Sequence, residues 1–225
     1  MGDHPFDQLM ELDSQHIRLD YAALYLARDA YPNLEVSNYV RMLDALAEEV
    51  IAERAGLTAV GRYRAMQRIL VETHGFGGNQ QDYYDPQNTY LNRALDRRLG
   101  SPVTLAAIWI EVGRRLKWPI SGVALPGHFL VRFDDPEQFV LADPAAAGRS
   151  LSLKDCEQLV EERCAGSVPF VPAMLEPVDT RAILTRMLNN LYHIYLAAAD
   201  WPRLAAVLRR LVAVEPHNGK HLQDL

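Results

Sequence analysis

The sequence predicts an α+β protein: a helical N-terminal half, a central buried helix against a small antiparallel sheet, and a C-terminal helical pair. Three observations carry this prediction. A helix-length apolar run occupies residues 102–112, two short runs rich in β-branched and aromatic residues follow at 120–125 and 128–133, and both ends of the chain have apolar residues at helical spacing. Together they place one small sheet between two helical regions.

The two ends of the chain are predicted to be helical because apolar residues recur there every three or four positions. In the N-terminal half, over residues 3–75, the clearest stripe is Val40, Leu43, Ala47, Val50 and Ile51. After residue 181, a second such stripe is Leu184, Met187, Leu188, Leu191 and Tyr195, and a third is Leu204, Val207, Leu208 and Leu211. Each stripe predicts a helix with one face in the core.

The central helix is predicted from residues 102–112, where only Thr104 and Glu111 are strongly polar. A helix that is apolar on almost all sides must be buried on almost all sides. Ser101 and Pro102 suit the N-cap and the first helical position. The positive end of the helix dipole should therefore open beside Ser101, where it would favour an anion or a developing oxyanion.

The predicted sheet carries a histidine and an aspartate on neighbouring strands. Pro126-Gly127 separates the first two strands as a tight turn does, and a third strand is predicted at 139–142. His128 opens the second strand and Asp143 ends the third. The chain thus presents the start of a helix, then a histidine, then an aspartate. Cys-His-Asp sites of the papain and transglutaminase kind have this order, with the nucleophile, the base and the group that orients the base on separate elements.

Three longer motifs resemble the SirB family of bacterial proteins: YYDPQNTYLNRALDRRLGSPVTLAAIWIEV, PGHFLVRF and LADPAAAG. The resemblance covers nearly the whole chain and implies a transglutaminase-like core with a tetratricopeptide-like tail. In transglutaminase-type cores the nucleophilic cysteine lies in a Gly-x-Cys triplet at the start of the central helix. That triplet aligns with Gly100-Ser101-Pro102, so Pro102, which has no nucleophilic atom, occupies the cysteine position.

The resemblance also suggests how the chain divides. Residues 1–175 are predicted to form one transglutaminase-like domain that includes the helical N-terminal half, and residues 176–225 a helical tail. The two tail helices, followed by Pro216, resemble one tetratricopeptide unit. Because about three such repeats are needed for independent stability, the tail is predicted to pack on the main domain.

Two functions follow from the missing cysteine. The favoured one is a degenerate enzyme, or pseudoenzyme, that binds a protein or peptide segment in the old active-site cleft as a regulatory module. The alternative is an active acyl-transfer or amide-hydrolysing enzyme that uses Ser101 or Thr104 with His128 and Asp143. A hydroxyl nucleophile needs a base in direct hydrogen-bond reach. Ser101 is one residue from the cysteine position and Thr104 points about 200° around the helix from Pro102, so neither is well aimed.

Other residues are candidates for binding, each with a structural alternative. A helix is predicted from Pro86, with Asp85 as its N-cap, and it delivers Tyr90, Asn92 and Arg98 towards Gly100-Ser101. Gly127, in the turn before His128, is a further binding candidate. For Arg98 the alternative is interaction with the carbonyls at the end of its own helix. For His128 and Asp143 it is a buried polar pair that only stabilises the core.

Composition excludes several classes of protein. The net charge of −6 argues against a nucleic-acid-binding surface as the main function. No apolar run approaches the roughly eighteen residues that a bilayer requires, and the first residues do not resemble a signal peptide. The two cysteines fit a reducing compartment, so a cytoplasmic location is predicted. No set of residues has metal-ligand spacing, and neither a metal nor another cofactor is predicted.

Overall fold

The computed structural model describes residues 4–54, 56 and 58–218, and it has the predicted α+β fold. The α-helices are α1 (Pro5–Leu9), α2 (Leu19–Ala27), α3 (Val36–Ala52), α4 (Ala59–Met66), α5 (Leu91–Arg97), α6 (Pro102–Arg115), α7 (Leu153–Cys164), α8 (Thr180–Ala197) and α9 (Trp201–Val214). The strands are β1 (Gly77–Gly78), β2 (Leu99–Gly100), β3 (Ile120–Val123), β4 (Leu130–Asp134), β5 (Phe139–Asp143) and β6 (Arg149–Leu151). Short 3-10 helices occupy Ser14–His16, Pro86–Asn88 and Pro172–Leu175, and a π-helical segment, Gln67–Thr73, continues α4.

The predicted apolar stripe of α3 is buried at its centre but not at its ends, where Val40 is half-buried. Leu43, Ala47 and Val50 of α3 are buried as predicted, whereas Ile51 is 59% exposed. Ile51 lies about 80° around the helix from Leu43, at the edge of the stripe, while Val50 lies close to the centre. The periodicity thus predicted this helix correctly and overextended its buried face.

The central helix α6 is buried as its composition predicts. Every residue from Pro102 to Trp109 is buried, and so is Glu111. The Glu111 carboxylate accepts hydrogen bonds from Arg114 and Arg115, each at 2.8 Å. Burial, together with the charge of nearby Asp20, raises the pKa of Glu111. The one acidic residue of this helix therefore belongs to a network of charges at its C-terminal end.

The main sheet is antiparallel, with strands in the order β3-β4-β5-β6. The predicted tight turn at Pro126-Gly127 is present, with the His128 N–H donating to the Leu125 carbonyl at 3.1 Å. Val123 pairs with Leu130, however, so residues 124–129 separate β3 from β4 and the turn lies within a longer connection. The strand pairing stops early because the chain turns inward to bury Leu125 and Phe129 completely. His128 consequently lies two residues before β4 and does not open the strand as predicted. Asp143 does end β5.

The segment before α6 also differs from prediction. Asp85 caps only the 3-10 turn Pro86–Asn88, and α5 begins later, at Leu91. The helix is interrupted because the carbonyls of Asn88 and Thr89 turn towards α6. The first accepts from the Ser101 N–H at 2.8 Å and the second from the Thr104 hydroxyl at 3.1 Å.

The C-terminal helices share the core of the rest of the chain. Buried residues of α8 and α9 belong to the same apolar cluster as those of α2, α3 and α6. Arg210 of α9, 9% exposed, donates hydrogen bonds to Asp7 and Asp29 near the N-terminus. Before α8, the Val178 N–H donates to the Gly122 carbonyl of β3 at 2.9 Å. The boundary at 175/176 stays a prediction, and residues 219–225 of the predicted tail lie outside the described residues.

None of the helices in the described part of the chain combines the length and the apolar character that crossing a bilayer requires.

Candidate functional site

His128 and Asp143 form a buried hydrogen-bonded pair. His128 Nε2 lies 2.7 Å from Asp143 Oδ2, and the two residues are 4% and 5% exposed. The second carboxylate oxygen, Oδ1, accepts from the N–H groups of Ala145 at 2.9 Å and Ala146 at 3.2 Å. These bonds fix the carboxylate as an acceptor, so Nε2 carries the hydrogen in the bond to Asp143. The hydrogen bond expected from the strand order is present.

The other ring nitrogen of His128, Nδ1, is buried and has no hydrogen-bond partner among the described residues. His128 lines a cavity of about 360 Å³ with Asp143 and the start of α6, Ser101 and Pro102. In the neutral tautomer that carries its hydrogen on Nε2, Nδ1 is a hydrogen-bond acceptor. An unpaired buried polar atom costs about 1–3 kcal/mol. A hydrogen-bond donor in the cavity would recover that energy.

The two candidate hydroxyl nucleophiles bond to each other and to the main chain. The Thr104 hydroxyl donates to the Thr89 carbonyl, and the Ser101 hydroxyl lies 2.9 Å from the Thr104 oxygen. Since Thr104 has already used its hydrogen, Ser101 is the donor in this second bond. Ser101 occupies the N-cap position as predicted, but its side chain does not cap the helix. In the described part of the chain, no side chain therefore caps the first-turn N–H groups of α6.

The predicted binding residues are separated from this cavity. Tyr90 is buried, and its hydroxyl lies 2.8 Å from that of Tyr195. Asn92 is buried beside a different groove, and Arg98 is exposed where the chain leaves α5 with a positive φ of 60°. These three residues are not among those that line the cavity at His128, because α5 begins only after the chain has passed that cavity. Gly127 lines an adjacent cavity of about 650 Å³.

Several residues that line the cavity were not predicted from the sequence. Asn79, Asn88, Tyr83 and Arg163 line it together with His128. Asn88 is 2% exposed, and its amide group donates to the Asp82 carbonyl and accepts from Asn79. The polar, glycine-rich loop before Pro86 was a usable signal, since loops beside a scaffold often carry function. No local signal marks Arg163, which only the packing of α7 brings to the cavity.

Neither cysteine replaces the missing nucleophile in this geometry. Cys156 is buried, and burial raises the pKa of its thiol to about 11. Cys164 is half-buried, and neither residue lines the cavity at His128. Within the described residues, no three His, Cys, Asp or Glu side chains converge as a metal site would require.

Comparison with known proteins adds a family relationship. The family model of the transglutaminase-like superfamily matches residues 37–189. A UPF0162 protein of Xylella fastidiosa (strain 9a5c) is 37% identical over 229 residues, which cover 97% of this chain and 79% of that protein. A UPF0162 protein of Pseudomonas aeruginosa is 32% identical over 182 residues, 80% of this chain and 65% of the relative. Human F-box only protein 21 is 30% identical over 135 residues, 56% of this chain and 20% of that protein. No solved structure matches the chain.

Proposed function

Because the chain belongs to the transglutaminase-like superfamily, we propose that it is a degenerate, regulatory member that binds a peptide segment of another protein in the cavity at His128. We further propose that it belongs to the SirB family, which the motifs quoted above resemble, and that its tail is tetratricopeptide-like. It acts in the cytoplasm, where Cys156 and Cys164 stay reduced. One observation carries the proposal: the His128–Asp143 pair is intact while its free nitrogen has no nucleophile to activate.

The positions of the hydroxyls argue against acyl transfer. A serine or threonine nucleophile must pass its hydrogen to an adjacent base. Here the Ser101 hydrogen is directed to Thr104 and the Thr104 hydrogen to the Thr89 carbonyl. Pro102, at the cysteine position, offers no such atom. His128 is therefore oriented as a base would be but serves as a hydrogen-bonding group.

The cavity suits a polypeptide because it offers both donors and acceptors. Every peptide unit of a bound segment carries an N–H and a C=O that must be paired when buried. His128 Nδ1 can accept from an N–H, and the uncapped start of α6 favours a carbonyl oxygen. The side-chain amides of Asn79 and Gln80 line the same cavity. Its volume lies at the lower end of the range for ligand sites, which fits one or two residues of a longer segment.

Selection of peptides from a random library displayed on phage tests the proposal. The enriched peptides are expected to bind the unmodified protein and to bind His128→Gln at least about tenfold more weakly, since one buried hydrogen bond is lost. Mass spectrometry of the recovered peptides should show them uncleaved and unmodified. Arg98→Gln, at an exposed position away from the cavity, serves as the matched control and should bind normally.

Two results would contradict the proposal. Peptides that bind His128→Gln as tightly as the unmodified protein would place the binding surface elsewhere. Cleavage, deamidation or cross-linking of a peptide, abolished by His128→Gln and by either Ser101→Ala or Thr104→Val, would instead establish the enzymatic alternative.

A further inference from the structure

Arg186 on α8 is a half-buried arginine without a carboxylate partner among the described residues. Its only hydrogen bond there is a long one, from Nη2 to the main-chain oxygen of His128 at 3.5 Å. Burial lowers the pKa of Arg186, and no nearby carboxylate offsets that effect. Arg186 lines the cavity of about 650 Å³ beside His128.

Two other arginines with little exposure, the half-buried Arg115 and the buried Arg210, are paired with carboxylates. Arg115 bonds to the carboxylates of Asp20, Glu111 and Asp44, with distances of 2.6–2.8 Å. Arg210 bonds to the carboxylates of two aspartates. Removing a guanidinium from water is costly unless charged partners replace the water. Arg186 differs from both, although the chain as a whole is acidic.

The surroundings of Arg186 supply neutral hydrogen-bonding groups. Asn189, Asn190 and His193, along the same face of α8, line the cavity with it. The carboxylate in this lining, Glu215, accepts hydrogen bonds from the Thr185 hydroxyl at 3.0 Å and the Asn218 amide at 2.9 Å. The cavity therefore combines a cation that has no paired carboxylate among the described residues with side chains able to bond a peptide backbone.

This cavity adjoins the one at His128. Tyr83 lines both of them. A third cavity of about 300 Å³, lined by Ser101, Asn190 and His193 as well as Tyr83, shares residues with each. The three cavities thus share wall residues between the start of α6 and Arg186, and together they are called the groove below. A segment bound at His128 can therefore extend along α8.

We infer that Arg186 binds an acidic side chain of the segment held in this groove, so that the partner is a peptide with a carboxylate beyond the residue at His128. This inference rests on the proposed function. A guanidinium can pair with a carboxylate through two parallel hydrogen bonds, which gives direction as well as attraction. The pairing would supply the counter-charge that Arg186 lacks within the described fold.

Titration followed by NMR tests the inference without the natural partner. The probe is glutamate blocked at both its amino and carboxyl ends, and the matched probe is glutamine blocked in the same way. The blocked glutamate is expected to shift the Arg186 Nε–Hε resonance and the amide resonances of Asn190 and His193 in a saturable manner. The blocked glutamine should not, and added salt should weaken the effect.

Variants identify the residue responsible. Arg186→Gln should weaken binding of the blocked glutamate at least about tenfold, while Arg186→Lys, which keeps the charge and loses the planar fork, should retain part of it. Arg209→Gln, an exposed arginine of α9 that lines none of the three cavities, should bind normally. Because Arg186 makes only one long bond within the described fold, its replacement should leave the dispersed amide spectrum of a folded protein.

Three outcomes would overturn the inference: no saturable shift, equal shifts with the two probes, or unchanged glutamate binding by a folded Arg186→Gln variant. Inorganic phosphate that shifts the Arg186 resonance where blocked glutamate does not would also overturn it. The probe should bind His128→Gln as it binds the unmodified protein, whereas the selected peptides should bind this variant at least about tenfold more weakly. Failure of the carboxylate site is thus distinguishable from failure of the proposed function.

Discussion

Pro102 changes the chemistry of the site without disturbing its shape. Proline suits the first position of a helix because its missing N–H would have no intrahelical partner there. It is buried, and it lines the cavity with His128 and Asp143. His128 and the start of α6 are the groups that would lower the pKa of a thiol at this position.

Restoring the cysteine therefore tests whether the site is still organised for catalysis. Pro102→Cys should introduce a thiol whose pKa lies below the ordinary value of about 8.5, because His128 and the helix start both favour the thiolate. The rate of alkylation as a function of pH measures it, after subtraction of the rate for the unmodified protein. The subtraction is small for Cys156, since burial raises the pKa of its thiol to about 11.

The double variant Pro102→Cys/His128→Gln is the control. Its introduced thiol should titrate at higher pH, and the difference reports the contribution of His128. An ordinary thiol pKa in a folded Pro102→Cys variant would contradict the proposed geometry.

At the scale of elements, the start of α6 is tied to the loop that precedes α5. Thr104 links them, because its hydroxyl bonds both the Thr89 carbonyl and the Ser101 hydroxyl. Thr104→Val keeps the side-chain shape and leaves the buried Thr89 carbonyl without this partner. We expect it to lower the free energy of unfolding by about 1–3 kcal/mol, measured with urea.

Ser101→Ala is the comparison, since it removes one end of the same chain of hydrogen bonds. Ser101→Ala should lower the free energy of unfolding by less, about 0.5–1.5 kcal/mol, because Thr104 keeps its hydrogen bond to the Thr89 carbonyl. An equal or larger loss in Ser101→Ala would mean that Ser101 holds the loop and the helix together.

The turn before His128 depends on a glycine. Gly127 has a φ of +71°, and a Cβ at this position would lie 2.7 Å from the Arg163 Cβ. Gly75 has a similar φ of +73°, with nothing within 4 Å of an added Cβ. Gly75→Ala should cost about 1–2 kcal/mol from backbone strain alone, and Gly127→Ala about 1–3 kcal/mol more because α7 must also move. If the two variants lost the same free energy of unfolding in urea, α7 would move aside at no cost.

The elements were predictable where local pattern and tertiary environment agree. The apolar run gave α6, and the order of strands gave the contact between His128 and Asp143. The tight turn at Pro126-Gly127 was predicted correctly. His128 was placed on the strand because the turn was expected to join the strands directly, whereas Leu125 and Phe129 beside it are buried outside the strands. Tyr90 and Arg98 were expected to lie near the start of α6 because one continuous helix was predicted from Pro86. That helix is broken before α5 by hydrogen bonds from α6 to the carbonyls of Asn88 and Thr89, and no local sequence pattern indicates these bonds. Arg163 and Arg186 reach the groove only through packing of distant helices.

At the scale of the molecule, one apolar cluster joins the N-terminal helices, the central helix and the C-terminal pair. Arg210 adds a polar connection between the ends of the chain. Its partners Asp7 and Asp29 keep side-chain exposures of 25% and 21%, so some solvation remains if the arginine is lost.

Replacing Arg210 should destabilise the whole protein and should not release the tail alone. Arg210→Met is expected to lower the free energy of unfolding by about 3 kcal/mol, because two partly buried carboxylates lose their counter-charge. Circular dichroism and tryptophan fluorescence should still report one coincident transition. Arg209→Met, one residue earlier and exposed, should change stability by no more than about 0.5 kcal/mol. Two separate transitions would instead show a tail that unfolds by itself.

The pairing of Val178 with Gly122 has a consequence for recognition. It attaches the start of α8 to the same sheet whose neighbouring strands orient His128 and Asp143. Because α8 also carries Arg186, the fold sets the separation between the backbones of the histidine and the arginine, and adjustment to a ligand is left to their side chains. A partner would therefore be selected by the number of residues that separate its buried position from its acidic one, so that inserting a single residue between them should weaken simultaneous binding.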